Sequence, residues 1–215
     1  MLSSVRSDGS LWVAGTGSFA LEVVEYARDA GRPPAGLVEL LDQARVGTVV
    51  HGLPVVDLAV APPGASALIG AGGDRLALAE RLTAHGWPTA SAVVHPAAHC
   101  SASAVLDAGA IVGPGAVVGA ASTLGEHVLI GRGALVGHHV ALAAGVVLNP
   151  GARVGGNTRV GRGARIGIGA SVVDGVEIGA GAVVAAGAVV VRSVAAGVRV
   201  QGVPARPYVA AGEAS

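Results

Sequence analysis

Residues 112–148 read VGPGAVVGAASTLGEHVLIGRGALVGHHVALAAGVVL. Within this stretch an apolar residue returns at every sixth position: Val112, Val118, Leu124, Ile130, Val136, Leu142 and Leu148. The same phase runs back through Leu106 and Cys100 to Val94. It runs forward through Val154, Val160, Ile166, Val172, Ile178 and Val184 to Val190, seventeen matches without an insertion or deletion. Glycine follows nine of them, and the residue four positions on, from Ala104 to Ala188, is always small or β-branched. Composition bias alone would not hold phase over so many repeats.

A period of six is neither the 3.6 of a helix nor the two of a simple strand. One hexad fits a flat strand and a corner, so three hexads close one triangular coil. The marked apolar residue points inward and the small one fills the tight turn. Seventeen hexads therefore give between five and six coils. Residues 108–125 carry no charge, but their glycines and their fixed interval argue for coils rather than a membrane span.

Residues 1–90 have other punctuation. Leu11–Ala14 reads as a strand, residues 15–20 (Gly-Thr-Gly-Ser-Phe-Ala) as a glycine turn, and Leu21–Ala30 as an amphipathic helix stopped by Gly31 and two prolines. A strand at Leu37–Leu41, an apolar pair at Val55–Val56, a strand at Ala67–Gly70 and a helix at Asp74–Ala84 follow. Strand, glycine turn, helix, strand predicts a small parallel α/β domain over residues 1–90. Residues 91–200 form the repeat domain and 201–215 a tail, with no readable role for Ala210–Ser215.

Composition narrows the function. The 215 residues hold 35 glycines, five aromatic side chains and no lysine, and 14 arginines balance 14 acidic residues. A net charge of zero removes the electrostatic footprint of a nucleic-acid partner, and so few rings leave no platform for stacking bases. Hydrophobic residues at 52% exclude intrinsic disorder. The single cysteine, Cys100, and the absence of a leader pattern point to the cytoplasm. Arg153, Arg159 and Arg165 recur at six, which puts them on three different faces and makes no basic patch.

Positions 18 apart stack in such a coil. His138 and His139 fall at a corner, with Gly156 stacked on the first and Asn157 on the second. An exposed imidazole with a pKa of about 6.5 suits a general base. The amide of Gly155 or Gly156, one coil up, would serve a developing oxyanion. Adjacent histidines are expected to point apart, and no cysteine or carboxylate shares their face in ligand spacing, so no metal site is expected. His51, His85, His99 and His127 read as surface residues without a role. The G-x-G-x-x-A pattern of residues 15–20, with Gly15, Gly17, Ser18 and Phe19, lets backbone approach a phosphate at a helix N-terminus.

The hexads resemble those of the hexapeptide-repeat acyltransferases, whose repeats wind into a left-handed parallel β-helix. The stretch from Gly15 to Val23 and the stretch Gly202-Val-Pro204-Ala-Arg206-Pro are similar to the NeuD/PglD group of bacterial sugar acetyltransferases. The resemblance spans residues 11 to 208. It implies an N-terminal Rossmann-like domain holding a nucleotide sugar, with Glu39 and Asp42 meeting the uridine or ribose, and Gly70, Gly72, Gly73 and Asp74 at the next strand end. It implies acetyl-CoA in a groove between two copies of a homotrimer, touching Gly156, Ile168 and Ala186, with Arg192, Arg199 and Arg206 near its phosphates.

The resemblance also makes His138 the catalytic histidine, followed here by His139 where the family carries an orienting acidic or polar residue. Val147 stands where the family often has a second histidine, near the thioester. With no cysteine or activated serine at the corner, transfer to a sugar amino or hydroxyl group is expected to be direct. A non-catalytic trimeric scaffold and an acyltransferase with a non-sugar acceptor are the alternatives.

Overall fold

The computed structural model describes residues 9–208. The chain forms two compact units, divided between Val94 and His95.

In the first unit, β1 (Leu11–Ala14), β2 (Gly36–Glu39), β4 (Leu53–Asp57) and β5 (Ser66–Ile69) run parallel, and β3 (Val49–Val50) adds an antiparallel edge. The sheet order is β3-β4-β2-β1-β5. The helix α1 (Ser18–Asp29) connects β1 to β2, and α2 (Arg75–Ala84) follows β5. The strands β1, β2 and β5 are buried at every residue, as strands covered on both faces must be. Trp12 and Trp87 meet edge to face at 5.7 Å in this core, and the Trp87 indole N–H donates to the Leu58 carbonyl at 2.7 Å.

Both helices end where the chain chemistry dictates. Asp74 caps α2 by accepting from the amides of Leu76 and Ala77. The N-cap of α1 is Gly17, which supplies no side chain, and the helix starts at Ser18, a turn before its apolar periodicity does. Its end is closed by Gly31 at φ 72, with the Arg32 amide donating back to Ala27.

The second unit is a parallel β-solenoid. Two-residue strands recur from His99–Cys100 to Val189–Val190, each ending on the marked hexad residue. They pair in register with the strand three hexads later, Val117 with Leu135 and Val118 with Val136, for example. Every marked residue from Val112 to Val190 is buried, while Cys100 and Leu106, at the start of the stack, are half-buried. The residue two before each marked one is buried as well, so Ala116 and Val118 both face inward and Val117 faces out. Each inward valine, leucine or isoleucine contributes about 1.5–3 kcal/mol relative to exposure. Arg153, Arg159 and Arg165 lie in three different sheets, as their spacing requires.

After Val190 the coil shortens. Val183 and Val184 pair with Arg199 and Val200, short of the regular three-hexad interval, and Arg206–Pro207 folds back antiparallel on Arg199–Gln201. Ala210–Ser215 lie outside the described residues. Among the described residues no helix is long and apolar enough to cross a membrane.

Two kinds of glycine shape the coils. The third residue after each marked one from Leu106 to Val184 turns through positive φ, as at Gly133, Gly151 and Gly169. The residue directly after it is glycine where coils touch through backbone: a Cβ on Gly161 would lie 2.5 Å from the Ala180 nitrogen. Gly161→Ala is therefore expected to cost about 3 kcal/mol, because the obstacle is backbone. Gly169→Asn, in open space at φ +65, should cost under about 1 kcal/mol, since asparagine tolerates that conformation. Urea unfolding midpoints of the two variants check the contrast.

Candidate functional site

His138 and His139 occupy one solenoid corner and both are exposed. They do not point apart as expected of neighbours on a strand. His139 has φ 55, and this left-handed turn brings the rings together: the two Nδ1 atoms are 3.1 Å apart and the ring planes stand at 82°. Above them, the Asn157 amide donates to the His138 carbonyl at 2.9 Å. The outer edge of the His138 ring lies over Gly156, where an added Cβ would be 2.8 Å from Cε1 and Nε2. A side chain there would push the imidazole out of this position.

The neighbouring glycine makes room from the other side. A Cβ on Gly155 would overlap the carboxylate of Asp174, whose Oδ1 accepts from the Gly156 amide at 2.9 Å. The Gly155 amide donates to the Val172 carbonyl within the ladder. Of the two amides expected at an oxyanion site, Gly155 is thus excluded by its ladder bond, and Gly156 already holds an anionic oxygen.

The left-handed positions mark this corner. Ala121, His139 and Asn157 stack in one column at φ 55 to 57, whereas the corresponding residues of the next column, Gly115, Gly133, Gly151, Gly169 and Gly187, are all glycine. Non-glycine residues held there store strain, and such strain gathers at functional sites. His127, also at φ 57, is buried in the third column.

The remaining repeat-domain candidates divide. Arg192 and Arg206 line a cavity of about 300 Å³ floored by Val190, Val194, Val198 and Val200. Arg192 lies one coil above Asp174 and so in the same column as His138. Ile168, 60% exposed, and Ala186 stack on a different corner, where the Gly187 amide donates to the Ile168 carbonyl. Val147 is buried in a strand between Leu129 and Arg165.

In the first unit, Gly15, Thr16, Gly17, Ser18, Phe19, Glu39, Asp42, Arg45 and Gly72 line a cavity of about 410 Å³. The uncapped start of α1 opens at its glycine turn, leaving backbone N–H groups for an anion. Glu39 requires a correction. Expected to meet a ribose, it is 3% exposed and its carboxylate is turned to the chain: Oε1 accepts from the amides of Leu40, Leu41 and Asp42, and Oε2 from the Thr16 hydroxyl at 2.6 Å. Asp74 is likewise committed to capping α2. Arg45 donates to the Thr16 carbonyl and hydroxyl, both at 3.1 Å, and its Nε is 3.4 Å from Asp42.

The bacterial transferase hexapeptide family (six repeats) matches residues 157–192. Among solved structures, a histidine-to-asparagine mutant of perosamine N-acetyltransferase from Caulobacter crescentus, in complex with CoA and GDP-perosamine, is 33% identical. The match covers 94% of this chain and 98% of that one, with a TM-score of 0.86. The acetyltransferase domain of PglB from Neisseria gonorrhoeae, in complex with acetyl coenzyme A, is 34% identical over 94% of this chain and 100% of that one, at a TM-score of 0.83. The chain belongs to the hexapeptide-repeat sugar acetyltransferases. WeeI from Acinetobacter baumannii, 24% identical over 93% and 99% of the two chains, has the same fold at a TM-score of 0.82. No curated protein sequence matches.

Family membership sets aside the non-catalytic scaffold. Asp174 and Arg45 of this acetyltransferase were not among the expected site residues. Asp174 was within reach of the stacking rule, since it lies two coils beyond His138. Arg45 had no such signal, because only the folded loop brings it onto Thr16.

Burial alone would raise the Glu39 pKa, but the Thr16 hydroxyl and three backbone amides together hold it below its ordinary value of 4.5. A carboxylate lowered on folding stabilises above its unfolded pKa and loses that contribution as pH falls through the folded one. Glu39→Gln is expected to cost about 2 kcal/mol at pH 7. The loss should shrink as pH drops below about 4, which denaturation at several pH values will show.

Proposed function

We propose that this chain transfers an acetyl group from acetyl-CoA to the amino group of a nucleotide-linked sugar, with His138 as general base. The observation that carries the reading is the placement of His138, anchored through Nδ1 on His139 while its outer edge, with Nε2, faces the Gly156 backbone. When Nδ1 carries the proton and donates it to His139, Nε2 keeps a free lone pair. His139 thereby takes the orienting place that an acidic or polar residue holds in the family.

The donor supplies an activated thioester carbonyl. The acceptor nitrogen attacks that carbon, the C–N bond forms and the C–S bond breaks. His138 Nε2 takes the nitrogen's proton and returns it to the leaving sulfur, so no covalent enzyme intermediate is required. The Gly156 amide is held by Asp174 Oδ1, so it serves the developing oxyanion only when that exposed carboxylate turns away.

Support for both substrates comes from the similar enzymes. One binds CoA and GDP-perosamine when a histidine is replaced by asparagine or alanine, and another binds acetyl coenzyme A. In this reading the first unit is a Rossmann-like acceptor domain, with the open end of α1 and Arg45 taking the diphosphate and Ser18, Phe19 and Gly72 shaping the cavity. The solenoid is a left-handed β-helix, and Arg192 and Arg206 meet donor phosphates.

Ile168 and Ala186 stand on another corner, so a groove using them together with Gly156 and Asn157 needs two copies of the chain. Exposed Val105, Val117 and Leu135 on the solenoid faces fit burial between copies of a homotrimer. The single Cys100 suits a cytoplasmic enzyme.

Thiol release from acetyl-CoA with GDP-perosamine as acceptor tests the reading. His138→Ala is expected to lower kcat by about 10²- to 10⁴-fold. CoA should also raise the melting temperature of the wild-type chain by mass action. Unchanged turnover in the variant removes His138 as the base, and a melting temperature indifferent to CoA removes the donor.

A further inference from the structure

The corner that carries His138 is built differently from the other two. In those columns each turn closes on itself: the amide of the small inward residue donates to the carbonyl three before it. The bond is present at Ala116 to Gly113, Ala134 to Gly131, Ala152 to Asn149 and Ala170 to Gly167, and in the third column at Val128 to Gly125, Val146 to Ala143 and Ala164 to Gly161. In the histidine column Ala104 still closes on Ser101, but the turns at 119–122, 137–140, 155–158 and 173–176 form no such bond among the described residues.

At the histidine turn a side chain bridges the two groups. Ser122, fully buried one coil below, donates its hydroxyl to the Gly137 carbonyl at 2.7 Å and accepts from the Val140 amide at 3.1 Å. These two backbone groups flank the His138–His139 dipeptide. The donated half of this bridge recurs two coils up, where the Thr158 hydroxyl donates to the Val173 carbonyl, one residue before Asp174.

We infer that Ser122 is a positioning residue for His138, acting as a hydroxyl wedge that bridges the Gly137 carbonyl and the Val140 amide, which this column's turns leave unjoined, and sets the orientation of the two rings. The inference rests on the assignment of His138 as the base. The ladder holds the segment between coils, His139 amide to Ala120 carbonyl and Asn157 amide to His138 carbonyl, and the wedge adds a hold on the groups at both its ends; a buried hydroxyl with both its donor and its acceptor role engaged holds one geometry. Ser122 reaches no solvent and touches no reactant, so its influence passes entirely through the Gly137 and Val140 backbone. The hydroxyl is not needed to fill space, because alanine or valine occupies the same inward slot beneath the closed turns, as Ala116 does below Ala134 and Val128 below Val146.

The test is Ser122→Ala, with Ser122→Val as a second variant that leaves no void and Ser122→Thr as the conservative rescue. With acetyl-CoA and GDP-perosamine, alanine and valine are expected to lower kcat by about tenfold or more. Both KM values should stay within about twofold, the melting temperature should change little, and threonine should restore most of the rate. In the His138→Ala background Ser122→Ala should have no further effect.

A crystal structure of Ser122→Ala should show the two Nδ1 atoms moved from their 3.1 Å separation. An unchanged kcat in both variants, or an unchanged histidine pair in the crystal, overturns the inference while leaving the acetyltransferase reading intact. So does a rate loss that merely follows a fall in melting temperature. Full activity in His138→Ala overturns the base assignment, and the role of Ser122 with it. A wild-type chain that releases no thiol with GDP-perosamine, and whose Ser122→Ala crystal keeps the rings in place, overturns both.

Discussion

The backbone ladder between residues one coil apart is the constraint on which the solenoid depends. Each coil donates its amides to the carbonyls of the next, so the rise of the stack is fixed by hydrogen bonds and not by side-chain bulk. That spacing leaves room inside for one small and one medium apolar residue per strand, and at many corners no room for a Cβ. The abundance of alanine, valine and glycine, and the shortage of aromatic side chains, follow from this geometry. Long-range order then comes almost free of sequence information beyond the hexad, because every coil is positioned by its predecessor.

A lattice so regular gives function few places to stand. Side chains that face out from the flat strands are separated by a coil's rise, but those at corners project beyond it and stack in columns. The histidine column departs from the lattice in three independent respects: non-glycine residues hold left-handed φ, the turns lose their closing bond, and paired glycines admit an imidazole from below and a carboxylate from above. None of these features stabilises the stack, and each leaves the corner less able to relax. Preorganised polar groups have that requirement.

The period, the phase and the stacking partners of His138 were legible in the sequence, because the ladder makes geometry a matter of adding three hexads. The parallel strands and both helices of the first unit were legible too, apart from ends such as the start of α1, where a glycine cap gives no side-chain signal, but the short antiparallel edge β3 was not expected. The meeting of the two histidine rings was not legible. Alternation along a strand predicts that neighbours diverge, whereas a left-handed residue at a corner reverses one of them. The role of Glu39 escaped for a related reason: a carboxylate after a strand looks the same whether it faces a ligand or its own loop, and burial among three amides decides between them.

That loop shows what holds the cavity of the first unit in shape. Glu39 gathers the amides of Leu40, Leu41 and Asp42 and the hydroxyl of Thr16, so the strand end of β2 and the glycine turn after β1 are fastened to a single carboxylate. Arg45 then crosses to Thr16 from the far side of the same loop. An anionic group inside the wall repels a phosphate unless its charge is spent on local donors, and here four donors spend it. The guanidinium and the open end of α1 are left to set the sign of the cavity. A buried acid that would otherwise make the cavity wall anionic becomes the anchor that holds that wall in place.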